Sequence, residues 1–357
     1  MMFRLTSIPG HRVVLGAFRK DLTVALAMLL LLIPLARSAP PDERTKALID
    51  AAIVQERKGP ERIRKLVPKE ITRLLMNENF EQLESNINQI EKAAQNDPTL
   101  EFEFHVVFEN INWMDANLLA PLDRWVKLRP SAIAYTARGA YLGERAFALR
   151  GNRMARETPP LNFELMEMSA KRSIQDLQQA ISLNPSYTPA YTNLIKVSMI
   201  SRSGGVDAFQ LVSTISRLRP GNMRPRQAFL QTLEPRWGGS HEAMFRFAES
   251  AARDARHNPM LWLLTGLVYL DLVRSRHPNV PEQDVKDLTE ALKYGETNLL
   301  LEARANAYWH LKNYHAAIVD YSKCVENNPN GPHNCKTGLK VLTDFQKKVW
   351  NPNQKSN

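Results

Sequence analysis

The residues of this sequence that most suggest chemistry lie in the stretch Trp237-Gly238-Gly239-Ser240-His241. A serine beside a histidine raises the question of nucleophilic catalysis, in which a base takes the proton of the hydroxyl. Adjacent residues at the start of a helix, however, do not present their side chains to one another. Two glycines supply the backbone freedom of a tight turn, and serine is a preferred N-cap residue. We therefore predict a turn followed by a helix that Ser240 caps, and no catalytic residue.

Patterns typical of enzyme active sites are absent from the rest of the sequence. The eight histidines form no HExxH motif, no serine lies in a nucleophile elbow, and no glycine-rich loop of the phosphate-binding or dinucleotide-binding kind is present. We predict that the protein is not an enzyme and that it has no cofactor.

The chain has two cysteines, Cys324 and Cys335, which are close together in the sequence. In an exported protein such a pair predicts one disulfide. His333 lies between them and raises metal binding as an alternative, but a structural zinc site needs a fourth ligand. We predict a disulfide and no metal site.

Four arginines follow one another at short intervals in the middle of the chain: Arg145, Arg150, Arg153 and Arg156. A guanidinium group binds a carboxylate or a phosphate through two parallel hydrogen bonds, so these residues form a candidate anion patch. The alternative interpretation is a solvated helix end, followed by a loop that two prolines close.

The elements that must position these residues are helices. Apolar residues recur at helical spacing from Lys46 onward, and Pro, Gly and Asn interrupt them at regular intervals. Alternation typical of strands is nearly absent. The sequence therefore predicts an all-α protein.

The clearest unit of the chain spans residues 301–329. Ala305 and Ala317 are small where two antiparallel helices must approach closely, and Tyr308 and Tyr321 fill the space beside them. With its closing proline, this unit resembles the tetratricopeptide repeat. Further upstream, the closing prolines of two similar units lie 35 residues apart, against about 34 for this repeat. The resemblance implies a solenoid of antiparallel helix pairs.

The glycine pair falls inside this repeat pattern. Aligned on the start of the second helix, residues 238–243 are in register with residues 312–317. The register assigns three residues to the places of Ala317, Tyr321 and Cys324: they are Ala243, Phe247 and Ser250.

The middle of the chain has a second, narrower resemblance. Its most specific stretches are RGNRMARET at 150–158 and PRWGGS at 235–240. Over residues 75–255 the chain is similar to the bacterial family known only as domain of unknown function 4034. That family implies helical architecture and no activity. The arginine-rich segment is then an insertion that separates the two helices of one repeat.

Many tetratricopeptide proteins bind the C-terminal carboxylate of a partner with Asn and Lys or Arg on successive first helices. Asn193 matches one such position, but Ala137, Leu264 and Ala303 occupy the corresponding places in other repeats. The sequence does not reproduce that clamp. Five polar residues are nevertheless predicted to face the groove and contact a partner: Thr192, Asn193, Lys196, Glu302 and Asn306.

The N-terminal 38 residues have the layout of a secretory signal peptide. Basic residues precede an aliphatic run from Leu22 to Ala36, and small residues at Ala36 and Ser38 suit cleavage after Ser38. The chain from Ala39 onward carries 42 basic and 36 acidic residues without a strong block of either sign. This distribution does not indicate a nucleic-acid partner. We predict a periplasmic or secreted protein; the alternative is an uncleaved segment that anchors it to the inner membrane.

These patterns predict five segments of the chain. They are a signal peptide at 1–38, an N-terminal helical region at 39–130, a central repeat region with the arginine-rich insertion at 131–258, C-terminal repeats with a capping helix at 259–350, and a tail at 351–357.

The predicted function is that of an exported scaffold that binds a protein or peptide in its concave groove, with no membrane span once the signal peptide is removed. The alternative is an enzyme or an accessory subunit that acts on an anionic polymer of the cell envelope.

Overall fold

The structure is a computed structural model, and it describes residues 39–57, 66–151, 157–201, 205–278, 280–327 and 334–350. Within these residues the regular structure is helical, and no strand is present. The prediction of an all-α fold is confirmed. The predicted signal peptide, the C-terminal tail, Arg153, Arg156 and His333 lie outside the described residues.

Sixteen α-helices follow one another in the described residues, with short 3-10 turns between some of them. They are α1 (Glu43–Arg57), α2 (Pro68–Met76), α3 (Phe80–Asn96), α4 (Glu101–Glu109), α5 (Leu119–Leu128), α6 (Ala132–Arg150), α7 (Pro160–Leu183), α8 (Thr188–Ser198), α9 (Ala208–Leu218), α10 (Arg224–Thr232), α11 (His241–Ala252), α12 (Leu263–Ser275), α13 (Pro281–Ala291), α14 (Asn298–His310), α15 (Tyr314–Asn327) and α16 (Asn334–Trp350).

The pair formed by α14 and α15 has the predicted repeat architecture. Ala305 and Ala317 are completely buried, and Tyr321 is 2% exposed, while Tyr308 is half-buried at the edge of the interface. Small side chains allow the two helix backbones to approach, and the tyrosine rings fill the remaining space.

The pair formed by α6 and α7 uses the same geometry with longer helices. Gly139 takes the place of Ala305, and a Cβ atom there would lie 2.7 Å from Cγ of Leu177. Ser173 Oγ donates a hydrogen bond of 2.6 Å to the Gly139 carbonyl across this contact. The predicted insertion therefore extends both helices, to 19 and 24 residues, rather than forming only a loop.

The turns between paired helices share a left-handed residue. Gly238, Lys312 and Glu78 occupy equivalent places in three pairs, with φ of 91°, 58° and 53°. Ser240 caps α11 by accepting a hydrogen bond of 3.1 Å from the backbone N–H of Ala243. The prediction of a turn and a capped helix at this glycine pair is confirmed.

The predicted register inside α11 is wrong by one residue. Ser250 is exposed and Ala243 is half-buried. The buried side chains of this helix are Met244, Phe245, Ala248, Ala251 and Ala252. The helix α11 packs more extensively against α12 than against α10. Its buried face is therefore rotated by about 100°, the angle that one residue spans in an α-helix.

Two apolar clusters form most of the core. One extends from Leu66 to Ile200 and the other from Leu230 to Leu342. The first helix of the described chain, α1, packs against a distant part of the sequence: Ile49 and Ile53 contact Met260 and Leu263.

None of the helices in the described part of the chain has the length and the apolar character that crossing a membrane requires.

Candidate partner-binding groove

A groove of about 300 Å³ runs along the first helices of successive pairs. Helices α8, α10, α12 and α14 contribute most of its lining. The polar and charged side chains that line it are Thr192, Lys196, Arg224, Gln227, Gln231, Glu234, Asp271 and Arg274.

One end of the groove has two cations that share one carboxylate. Glu109 Oε1 accepts from Lys196 Nζ at 3.2 Å and from Arg224 Nη2 at 2.7 Å. Burial raises the pKa of Glu109, but the two cations outweigh burial and hold it below its ordinary value of 4.5. Glu144 and Glu101 also lie within electrostatic range of Lys196 and Arg224, so this end of the groove contains charges of both signs.

The position of Arg224 depends on a carboxylate from a distant part of the chain. Glu101 accepts hydrogen bonds from the backbone N–H groups of Met223, at 2.7 Å, and Arg224, at 3.1 Å. These N–H groups lie at the start of α10, so Glu101 caps that helix. The cap holds Arg224, the first residue of α10, at the groove. Burial raises the pKa of Glu101 to about 6, while the two amides act in the opposite sense.

The other end of the groove is of mixed charge. Asp271 Oδ2 lies 3.0 Å from Nε2 of His241, and Glu234 pairs with Arg236. Burial is the main cause that raises the pKa of Glu234 above its ordinary value. Arg274 is exposed here and lowers that pKa through its charge without contacting the carboxylate.

The structure brings only two of the five predicted partner-binding residues to this groove. Thr192 and Lys196 line it, although the Thr192 hydroxyl donates to the Thr188 carbonyl at 3.2 Å. Asn193 Nδ2 donates to the carbonyl of Pro189 at 2.9 Å on its own helix.

The remaining two predicted residues serve contacts between the C-terminal helices. Glu302 accepts a hydrogen bond of 3.1 Å from Asn334 Nδ2 on α16. Asn306 accepts one of 2.5 Å from the Tyr321 hydroxyl on α15. These residues, like Asn193, are not part of the groove lining between α8 and α14 in the described structure.

The polar residues of α10 and α12 that line the groove are not among the predicted partner-binding residues. Arg224, Gln227 and Gln231 are spaced three and four residues apart, which places them on one face of α10. This spacing is a signal in the sequence for one polar helix face. The helix α10 lacks the small and aromatic residues that mark a repeat, so the repeat pattern does not identify it.

The arginine-rich segment has a different environment. Arg145 Nη1 donates to the Tyr141 hydroxyl at 3.0 Å, and its guanidinium lies 5.6 Å from the centre of that ring. Arg150 Nη1 donates to Thr158 Oγ1 at 3.1 Å and lies over the ring of Phe163. Each of these two arginines thus has internal partners, and the anion patch stays a prediction.

The cysteine pair joins the last two helices. A disulfide links Cys324 on α15 to Cys335 on α16, with 6.1 Å between the Cα atoms. Among the described residues no group of three or more His, Cys, Asp or Glu side chains is arranged to hold a metal ion.

Paired helices with small residues at their contact, aromatic residues beside it and a shared turn define a tetratricopeptide-like helical repeat protein. Residues 300–330 match the family model for the tetratricopeptide repeat, and residues 68–203 match that for a domain of unknown function (DUF4034). The chain therefore has one segment that matches each of these two family models. The matched segment ends before PRWGGS at 235–240, so that stretch is not part of the second match.

Several solved structures are similar to this chain, and two of them are tetratricopeptide repeat proteins. A tetratricopeptide repeat protein from Parabacteroides merdae ATCC 43184 is 16% identical, with 77% of this chain and 98% of that chain covered and a TM-score of 0.32. The tetratricopeptide repeat domain of P58(IPK) is 18% identical, with 81% and 98% covered and a TM-score of 0.24. No curated protein is significantly similar to the chain in sequence.

Proposed function

We propose that this protein is an exported, non-catalytic scaffold that binds an extended segment of a protein partner in the groove lined by α8, α10, α12 and α14. A tetratricopeptide-like fold is typical of protein-interaction scaffolds, because stacked helix pairs leave a long concave surface. The layout of residues 1–38 supports export to the periplasm or the exterior.

The observation that carries this proposal is the unused hydrogen-bonding capacity of the groove. Gln231 and Arg274 line it, and neither side chain makes a hydrogen bond or ion pair with another residue of the described structure. An amide side chain both donates and accepts, which suits the backbone of an extended peptide. Arg274 adds donors for a carbonyl or a carboxylate of the same segment.

Site-specific photo-crosslinking in the native cell envelope tests this proposal. A photoreactive amino acid at Gln231 is expected to capture a defined protein, and Arg274→Glu in the same chain is expected to abolish the product. The matched control places the photoreactive group at Gln179, which is exposed on α7 and does not line the groove. The same product from both positions, unaffected by Arg274→Glu, would contradict groove binding.

Two further measurements concern the remaining parts of the proposal. Mass spectrometry of the protein from the envelope is expected to find a chain that starts at Ala39; an intact N-terminus would favour the membrane-anchored alternative. Retention of an anionic envelope polymer that Arg150→Ala abolishes, with no protein captured at Gln231, would favour the enzyme or accessory-subunit alternative.

A further inference from the structure

A second cavity lies away from the groove and shares no lining residue with it. Its volume is about 290 Å³, close to the lower end of the ~300–1,000 Å³ range of small-molecule sites. The C-terminal half of α3, the start of α4, the residues before α8 and the loop after α9 enclose it. We call it the Glu91–Arg219 cavity after its two most important side chains.

Glu91 and Arg219 bring opposite charges to this cavity without meeting. Both line it, and the charge of Arg219 lowers the pKa of Glu91, so the two groups are within electrostatic range. No ion pair joins them or links either to another residue of the described structure. The cavity therefore holds a separated positive and negative charge.

Each of these side chains has hydrogen-bonding capacity to spare. Glu91 Oε1 accepts one hydrogen bond of 3.1 Å, from Gln95 Nε2. Arg219 Nη2 makes one long contact of 3.4 Å, with Ser186 Oγ. A carboxylate accepts several hydrogen bonds and a guanidinium has five donors, so both groups can still bind charged atoms of a ligand.

Glu91 is half-buried, and this partial burial disfavours the charged form of its carboxyl group. Desolvation is the largest influence on this group and raises its pKa, and neither Gln95 nor the charge of Arg219 fully offsets this. A cation placed against this carboxylate would favour its charged form.

The remaining walls are mostly apolar or already hydrogen-bonded, but Oδ1 of Asn222 is a buried acceptor without a hydrogen-bond partner. Phe104, Pro98 and Leu218 supply hydrocarbon surface. The other carboxylate that lines the cavity, Glu101, already accepts two backbone N–H groups at the start of α10. Glu91 and Arg219 are therefore the two charged side chains of the lining that can still bind a charged ligand group, and Asn222 Oδ1 is a further acceptor.

We propose that the Glu91–Arg219 cavity binds a small zwitterion of the amino-acid type, with its ammonium group on Glu91, its carboxylate on Arg219 and an aliphatic side chain against the apolar wall. A ligand with one charge would leave the opposite protein charge without a partner. A zwitterion satisfies both charges and adds no net charge to the cavity. The apolar wall favours alanine, valine or leucine over amino acids with charged side chains.

Calorimetric titration of the full-length protein with L-alanine, L-valine and L-leucine tests this inference. Valine is compared with isobutylamine, which lacks the carboxylate, and with isovalerate, which lacks the ammonium group. We expect at least one of the three amino acids to bind, and each single-charge analogue of valine to bind at least about tenfold more weakly than valine. If none of the three amino acids binds the native protein, the proposal is wrong.

Variants of the two charged residues test the assigned roles. Glu91→Gln keeps the shape of the side chain and removes its charge, whereas Arg219→Gln removes the guanidinium group. Each is expected to weaken amino-acid binding at least tenfold. Glu91→Gln should also remove the preference for valine over isovalerate, because the ammonium partner is gone. The matched controls, Glu81→Gln and Arg217→Gln, change exposed residues on the same helices outside the cavity and should leave binding unchanged.

Melting temperatures without ligand distinguish a lost site from a lost fold. Variants that retain the native melting temperature and lose binding would support the assignment. Equal affinity in the native protein and in both cavity variants would overturn it.

Discussion

Arg304 binds the carboxylate of Asp320 through two parallel hydrogen bonds, from Nε to Oδ2 and from Nη2 to Oδ1, each of 2.8 Å. Arg138 and Asp176 form the same pair in an earlier repeat, at 2.8 and 2.7 Å. In both repeats the arginine directly precedes the small residue of the first helix. The aspartate directly precedes the large residue of the second helix. A bidentate ion pair thus joins the two helices at equivalent places, in addition to their apolar contact.

Breaking the C-terminal pair on one side is expected to destabilise the protein. Asp320 is 3% exposed, so Arg304→Met leaves its carboxylate buried without a cation. We expect the free energy of unfolding to fall by about 3 kcal/mol, measured by urea denaturation. The double variant Arg304→Met/Asp320→Leu should recover much of this loss, because it removes the buried charge as well.

The control for this experiment is an exposed ion pair. Lys293 and Glu290 are both about half exposed on one helical turn, and Lys293→Met should change the free energy of unfolding by less than about 0.5 kcal/mol. Equal losses in Lys293→Met and Arg304→Met would contradict a special role for the repeated pair.

Lys312 occupies the left-handed turn position with φ of 58°, where glycine is the preferred residue. Lys312→Gly removes the Cβ contact that disfavours this conformation. We expect the free energy of unfolding to increase by about 1 kcal/mol and the melting temperature to rise accordingly. Lys312→Ala keeps the Cβ atom and should give no comparable gain; a similar gain in both variants would show that the φ angle is not the cause.

Position 239 requires glycine because a larger side chain has no room there, whereas position 238 favours glycine because its φ angle is positive. A Cβ atom on Gly239 would lie 2.1 Å from the carbonyl oxygen of Leu233, while one on Gly238 meets nothing within 4 Å. Gly238→Ala should lower the free energy of unfolding by about 1–2 kcal/mol. Gly239→Ala should lower it more. Circular dichroism melts check the order, and the reverse order would rule out the described turn.

Glu101 is expected to make stability depend on pH. Its pKa is raised by burial to about 6 in the folded chain, against 4.5 for the free side chain. Between these values the folded state binds more protons than the unfolded state. The contribution of Glu101 to the free energy of unfolding therefore falls as the pH rises from about 4.5 to 6, by up to about 2 kcal/mol, and is constant above that range.

The measurement is a set of urea titrations between pH 4.5 and 7.5 on the native chain and on Glu101→Gln. The difference between the two proteins should show this slope. The buried His105, which is present in both proteins, acts in the opposite direction because burial lowers its pKa well below 6.5. Parallel pH profiles would show that Glu101 does not titrate in this range.

The disulfide between Cys324 and Cys335 is expected to stabilise the C-terminal helices. It closes a loop with a sequence separation of 11 residues, which corresponds to about 3 kcal/mol in the chain-entropy description. Reduction should lower the melting temperature by several degrees, and Cys324→Ser/Cys335→Ser should melt like the reduced protein. Free thiols in the untreated protein, together with a melting temperature that reduction does not change, would show that the disulfide is absent.

The sequence determined those features that depend on neighbouring residues along a helix pair. The spacing of Ala305, Ala317 and Tyr321 predicted the contact between α14 and α15, and the glycines before Ser240 predicted a turn with a capped helix. Such features can be predicted because the small, aromatic and turn residues that contact one another lie within about 35 residues in the sequence. Over this distance helical periodicity determines which side chains meet.

Only the tertiary structure decided which residues meet from distant parts of the chain. The contacts of Glu101 with the start of α10, of Glu109 with Lys196 and Arg224, and of α1 with Met260 follow from the rotation and stacking of whole helix pairs. Periodicity assigns a residue to a face of its helix, but it does not specify the helix that covers that face. A rotation of one residue in α11 already moved the predicted buried positions, because each residue turns a helix face by about 100°.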